Sequence, residues 1–165
     1  MTLPELNAAG PAAFVAALGS LFEHSPWVAE AARASRPFAD ARDLHAQLCA
    51  AMRAAPRERR LALIRAHPNL AARLTQLTAA SQGEQADAGL DRLAPAELDE
   101  FRRLNADYQA RFGFPFVICA RLNAKDAILA AMRERLGRDP AGEEEAALAE
   151  IEKIAWLRLE DVLRK

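Results

Sequence analysis

Apolar residues recur every three or four positions along almost the whole chain, and proline and glycine cut that rhythm into short lengths. Phe14, Val15, Leu18 and Leu21 follow it, as do Leu44, Leu48 and Met52, and then Leu98, Phe101, Tyr108 and Phe112. This spacing lays one stripe of side chains along a helix, whereas a half-buried strand alternates every second residue. Alanine and leucine dominate and β-branched residues are sparse, which favours helix over sheet. The expectation is an all-α protein of about eight or nine helices, packed as a single domain over residues 1–165. A chain of this length buries roughly two-thirds of the surface it exposes unfolded.

The punctuation places the helices. One runs over 11–22, and Ser25-Pro26 reads as an N-cap followed by proline at the first helical position. That second helix ends near Arg36-Pro37, and 39–56 gives a third. Pro56 opens a fourth that runs to His67, and 68–76 reads as a short fifth. The segment 77–94, with Gly83 and Gly89, reads as a loop holding a short helix. A helix resumes at Pro95 and stops at Gly113, after which Pro115 biases Phe114 toward extended angles. Asn123 reads as the cap of a helix over 124–137. The last helix follows Asp139-Pro140, with acidic residues in its first turns as the helix dipole prefers.

Charge and cysteine usage exclude several classes of function. A net charge of −1 with scattered basic residues offers no electrostatic footprint for nucleic acid or membrane. No stretch approaches the ~20 apolar residues of a membrane span, and no secretory leader or peroxisomal address is visible. Cys49 and Cys119 are far apart, without a CxxC pair, which fits a reducing, cytoplasmic setting. Metal-ligand spacings are absent, so a metal site has no support, and neither a dinucleotide fingerprint nor a phosphate loop is present.

Four features remain that helix building does not absorb. In "ALIRAHPNLAARL" (62–74) a His-Pro pair interrupts an apolar helical run, and internal proline costs a helix about 3 kcal/mol. His67 stands at that forced end, either as a charge favoured by the helix C-terminus or as a proton donor and acceptor near neutral pH. Ser81 and Glu84 form an S-x-x-E spacing, which reads as a capping box and also as a polar pair at a helix start. Arg158 falls inside the apolar stripe of the last helix, among Ile151, Ile154, Leu159 and Val162. A guanidinium aimed at the core needs a partner: an internal carboxylate, or an anionic ligand. Finally, "GFPFVICA" (113–120) is apolar and extended in a helical chain, and its N–H groups need acceptors from the protein, water or a ligand.

Together these pieces resemble one family. "FEHSPWVAEAA", "HPNLAARL", "SQGEQADAGLDRL", "LNADYQARFGFPFVI", "ILAAMRERLGRDP" and "IEKIAWLRLEDVL" occur in the order and spacing of the 2-oxo-4-hydroxy-4-carboxy-5-ureidoimidazoline (OHCU) decarboxylases, from about residue 8 to 163. The resemblance implies an all-α, cofactor-independent lyase, usually homodimeric, that acts on a small molecule at the last step from urate to (S)-allantoin. It implies that His67 is the catalytic histidine and Glu84 its acidic partner. Pro68, Ser81, Gln82, Gly83, Glu84 and Gln85 would line the substrate site with the backbone of Phe116, Val117, Ile118, Cys119 and Ala120. Arg158 matches the arginine that the family's final helix contributes. One departure is Asn69, where an aspartate often follows His-Pro. Two readings from other classes stand beside this one. One is a non-catalytic helical module that binds a purine-derived anion; the other is a helical interaction protein in which Arg158 serves a salt bridge.

Overall fold

A computed structural model describes residues 1–72 and 77–165. Among these, nine α-helices are present and no strand: α1 (Leu3–Ala8), α2 (Pro11–Leu18), α3 (Trp27–Ala32), α4 (Ala41–Ala54), α5 (Arg57–Ala66), α6 (Ala79–Asp87), α7 (Pro95–Phe112), α8 (Lys125–Leu136) and α9 (Pro140–Arg164). Short 3₁₀ turns follow α3, at Arg33–Ser35, and precede α8, at Ala120–Leu122. The chain divides into two compact units, Met1–Ala66 with Glu152–Lys165, and His67–Ile151. α9 therefore contributes its first half to the second unit and its second half to the first.

In the first unit α3 packs on α2 and α4. Leu44, Leu48 and Met52 all face inward from α4, as their spacing predicts. Asp40 caps that helix by accepting from Asp43 N–H at 2.8 Å. α1 was not anticipated, because six residues are too few to show a period. Its local signal is a capping box, with Thr2 and Glu5 each bonding the other's backbone N–H. α2 ends at Leu18, four residues short of the expected end at 22, and the following turn carries Glu23 inward. Ser25 does not cap α3. Its hydroxyl donates to the Glu23 carbonyl at 2.8 Å.

In the second unit α7 packs on α8, and α6 lies against the Ala120–Leu122 turn. Gly113 closes α7 with φ 76°, the left-handed geometry that glycine adopts without a Cβ penalty. From there the chain runs extended to Cys119, as Pro115 predicts, and residues 114–120 are all buried. Phe114 and Phe116 pack against the Tyr108 ring, with centroids at 6.1 and 5.4 Å. Each buried phenylalanine is worth roughly 1.5–3 kcal/mol. Asn123 does not cap α8: Ala124 occupies the cap position, and the Asn123 amide donates backward to the Cys119 carbonyl at 2.9 Å. Of the fifth helix expected over 68–76, residues 68–72 are not helical and form a turn at 70–71, and 73–76 lie outside the described residues.

Candidate functional site

α5 ends at Ala66, immediately before the His67-Pro68 pair, as the proline requires. His67 is buried there. The turn that follows is tied down by two amide side chains. Gln85, on α6, accepts from Ala71 N–H at 2.9 Å and donates to the Asn69 carbonyl at 3.4 Å. Asn105, on α7, donates to the Leu70 carbonyl at 2.9 Å. Ala71 is held at φ 59°, a region that costs a non-glycine residue about 1–2 kcal/mol. The clamps are what keep it there.

α6 sorts its side chains by face. Thr78 is the N-cap, accepting from Ser81 N–H at 3.2 Å, so the expected Ser81–Glu84 capping box does not form. Ser81 sits inside the first turn, buried, and the Thr78 hydroxyl reaches its oxygen at 3.1 Å. Three residues on, Glu84 lies close enough to Cys119 to help raise that thiol's pKa. Burial is the main cause, Glu150 adds to it, and Glu84 acts in the same direction. Gln82 projects elsewhere, about 160° round the helix from Glu84 at 100° per residue. It lines a cavity of about 240 Å³ with Leu77, Ala86, Leu90 and Arg102, and donates to the Leu77 carbonyl at 3.2 Å. Gly83 faces outward, where an added Cβ would meet nothing within 4 Å. The structure thus sets Glu84 near Cys119, with Ser81 one turn before it on the same side of α6, and turns Gln82 and Gly83 to other faces. Gln85 is occupied with the turn after His67.

The extended segment answers one question raised by its sequence. No described residue accepts a hydrogen bond from the N–H groups of Phe116, Val117, Ile118 or Cys119, although all four residues are buried. Buried backbone donors are almost always paired, so this run is a row of donors suited to an electron-rich ligand or water. Two of its carbonyls are engaged: Val117 accepts from Arg135 at 2.8 Å, and Cys119 accepts from Asn123 and from Leu122 N–H.

Arg158 belongs to the first unit, and its partner is an internal carboxylate. Its Nη2 donates to Glu23 Oε2 at 2.9 Å, and Nη1 donates to the carbonyls of Ser20 and Leu21 at 3.3 and 3.4 Å. The guanidinium is 7% exposed and the Glu23 side chain 1%. Sequence reasoning foresaw the inward arginine but not its carboxylate, which lies in a turn with no period to betray it.

A second buried ion pair was missed altogether. In the second unit Arg135 Nε donates to Glu143 Oε1 at 2.8 Å, and the Tyr108 hydroxyl donates to the same oxygen at 2.5 Å. Glu143 had read as one of several acidic residues drawn to a helix start, yet its side chain is fully buried. Burial and the neighbouring Glu143 carboxylate push the Tyr108 hydroxyl pKa well up, which keeps it a neutral donor. Among the described residues no group of three or more His, Cys, Asp or Glu gathers to hold a metal ion. No described helix is long and apolar enough to cross a membrane.

The second unit thus carries a buried histidine, a carboxylate near Cys119 and a row of main-chain donors on a helical scaffold. Residues 7–160 match the family model described as OHCU decarboxylase, and the chain belongs to that family. The 2-oxo-4-hydroxy-4-carboxy-5-ureidoimidazoline decarboxylase of Haloferax volcanii is 46% identical over 96% of this chain and 94% of its own. The enzyme of the same name from Amia calva is 42% identical over 99% of this chain and 95% of its own. The crystal structure of (S)-allantoin synthase is 31% identical and matches with a TM-score of 0.79, over 99% of this chain. This chain covers 54% of that one, about half its length.

Proposed function

We propose that this protein decarboxylates 2-oxo-4-hydroxy-4-carboxy-5-ureidoimidazoline to (S)-allantoin, with His67 and Glu84 as the groups that carry the chemistry. The observation that carries the reading is the near-full-length identity to relatives bearing that activity in their names. The histidine at the proline-forced end of α5 and the donor row at 116–119 support it.

The substrate carries a carboxyl and a hydroxyl on one ring carbon. When the bond to the carboxyl group breaks, CO2 leaves and its electron pair remains on the ring, where adjacent unsaturation accepts it. One proton must then reach one face of the ring to give a single enantiomer. In this reading His67 transfers protons, and Glu84 orients the substrate or sets the local charge. The N–H groups of Val117 and Ile118 stabilise the anionic charge as it spreads onto the ring. Pro68 and Ser81 line the site with them. The protein works as a cytoplasmic homodimer without a cofactor.

The test generates the unstable substrate in place from urate with the two preceding enzymes and follows chiral allantoin by circular dichroism. Wild-type protein accelerates the signal, and His67→Asn returns it to the spontaneous rate, a loss of about 10²-fold or more. A fully active His67→Asn variant removes His67 from the chemistry. Saturable allantoin binding with no acceleration by wild type would make the chain a binding module.

A further inference from the structure

We propose that Arg135 is a positioning residue: it fixes the direction of the Ile118 N–H by gripping the carbonyl on the other side of the same peptide. The proposal rests on the reading above, in which that N–H faces substrate.

The geometry is local and fully buried. Arg135 lies in the last turn of α8, where its Nη1 donates to the Val117 carbonyl at 2.8 Å. Its guanidinium carbon stands 4.4 Å from the centre of the Phe116 ring, so the arginine holds the segment by a ring face and by a carbonyl at adjacent residues. The Val117–Ile118 peptide is trans and planar, so its C=O and N–H point to opposite sides. Anchoring the carbonyl therefore aims the Ile118 N–H away from Arg135. No described residue accepts from that N–H.

Glu143 and Tyr108 hold the arginine in turn. Glu143 Oε1 accepts from both Arg135 Nε and the Tyr108 hydroxyl, which leaves the guanidinium a single orientation. One nitrogen, Arg135 Nη2, and one oxygen, Glu143 Oε2, have no hydrogen-bond partner. Glu143 Oε2 meets only the Arg138 guanidinium, at 3.9 Å and beyond hydrogen-bond reach, so the buried network is a poor device for stability alone. An apolar trio of similar volume would serve a core as well or better. What an apolar trio lacks is a grip on the Val117 carbonyl.

The experiment replaces the pair with apolar residues of similar size, Arg135→Met with Glu143→Leu, so that no buried charge is left alone. The double variant is compared with wild type and with Val28→Ala, a core truncation in the first unit. Three readouts are taken: melting temperature, kcat and KM in the decarboxylation assay, and amide hydrogen exchange of residues 114–120. The expected result is a folded double variant whose kcat falls by about 10²-fold and whose 114–120 amides exchange about 10-fold faster or more. Val28→Ala melts earlier yet keeps its kcat and its exchange in that segment. A folded double variant with wild-type kcat and wild-type exchange overturns the proposal, as does an equal loss of kcat in Val28→Ala. Should the double variant not fold, Arg135→Lys is measured in its place. Lysine keeps the cation but has a single nitrogen, without the fork whose Nε reaches Glu143 and whose Nη1 reaches the Val117 carbonyl, so the same losses are expected and a wild-type kcat again overturns the proposal. Wild-type protein that leaves the spontaneous rate unchanged defeats the functional reading instead, and the exchange comparison then decides alone whether Arg135 holds the segment.

Discussion

Among the described residues each unit buries one arginine–glutamate pair, and the pairs differ in what else the arginine holds. In the first, Arg158 bonds Glu23 and two carbonyls, those of Ser20 and Leu21, at the end of a turn. In the second, Arg135 bonds Glu143 and one carbonyl, that of Val117. Both carboxylates are sealed from solvent. The lesson is that a buried guanidinium in this fold organises irregular backbone: helices satisfy their own carbonyls, and the segments between them do not. Each arginine supplies donors where the chain has none to spare.

The strongest way to break this comparison is to remove one carboxylate at a time. Glu143→Leu leaves Arg135 buried with a single carbonyl acceptor, and a stranded buried charge costs about 3–5 kcal/mol. For a protein of this size that lowers Tm by about 10 °C. Glu23→Leu leaves Arg158 with two carbonyl acceptors, so its loss is expected to be smaller. Calorimetry on the two variants at one pH measures the difference. Equal losses would mean that the carbonyl contacts contribute nothing, and that the carboxylate alone matters in both units.

The two pairs also show what could be read from sequence. Arg158 stood out because a charge in an apolar stripe violates the pattern of its own helix. Glu143 stayed hidden because Glu143, Glu144 and Glu145 form an acidic run at a helix start, where a solvated charge is the ordinary outcome. Only the fold decides which of three adjacent carboxylates turns inward. Helix identity was legible wherever an apolar period lasted three turns or more, as in α4, α7 and α9. It failed for α1, which is too short, and at the cap of α8, where Asn123 prefers a backward bond to the Cys119 carbonyl. His67 and the donor row at 116–119 were legible as anomalies, a proline inside a helix and an extended run among helices. The clamps from Gln85 and Asn105 were not, because amide side chains carry no sequence signature for a distant backbone partner.

A smaller effect sharpens the contrast at the level of single thiols. Each unit buries one cysteine, and burial raises both pKa values, Cys49 to about 12 with Glu152 adding to the effect. The thiolate is the reactive form, so neither sulfur is expected to react with a thiol-specific disulfide reagent at pH 8 in the folded protein. Both react once the chain is denatured. Mass spectrometry after timed labelling distinguishes the two sites. Faster labelling of Cys119 than of Cys49 in the native protein would show that the 116–120 segment opens before the first unit does.

The smallest expected effect comes from a pair that meets water. Lys125 bonds Glu97 at 2.8 Å near the starts of α8 and α7, and both side chains are partly exposed. The Lys125 hydrogen bond, followed by the Ala94 N–H, holds the Glu97 carboxyl below its ordinary value of 4.5. A depressed carboxylate contributes stability above its unfolded pKa and loses it as pH falls through the folded one. Glu97→Gln should therefore lie slightly below wild type at pH 7 and meet it in acid, with the convergence beginning near pH 4.5. Raising the salt concentration should close the same gap at pH 7, because solvent ions screen an exposed pair and not a sealed one. Glu143→Leu should show no such closure with salt. If salt narrows both gaps alike, the Arg135 pair is wetter than its burial states, and its hold on the Val117 carbonyl is correspondingly loose.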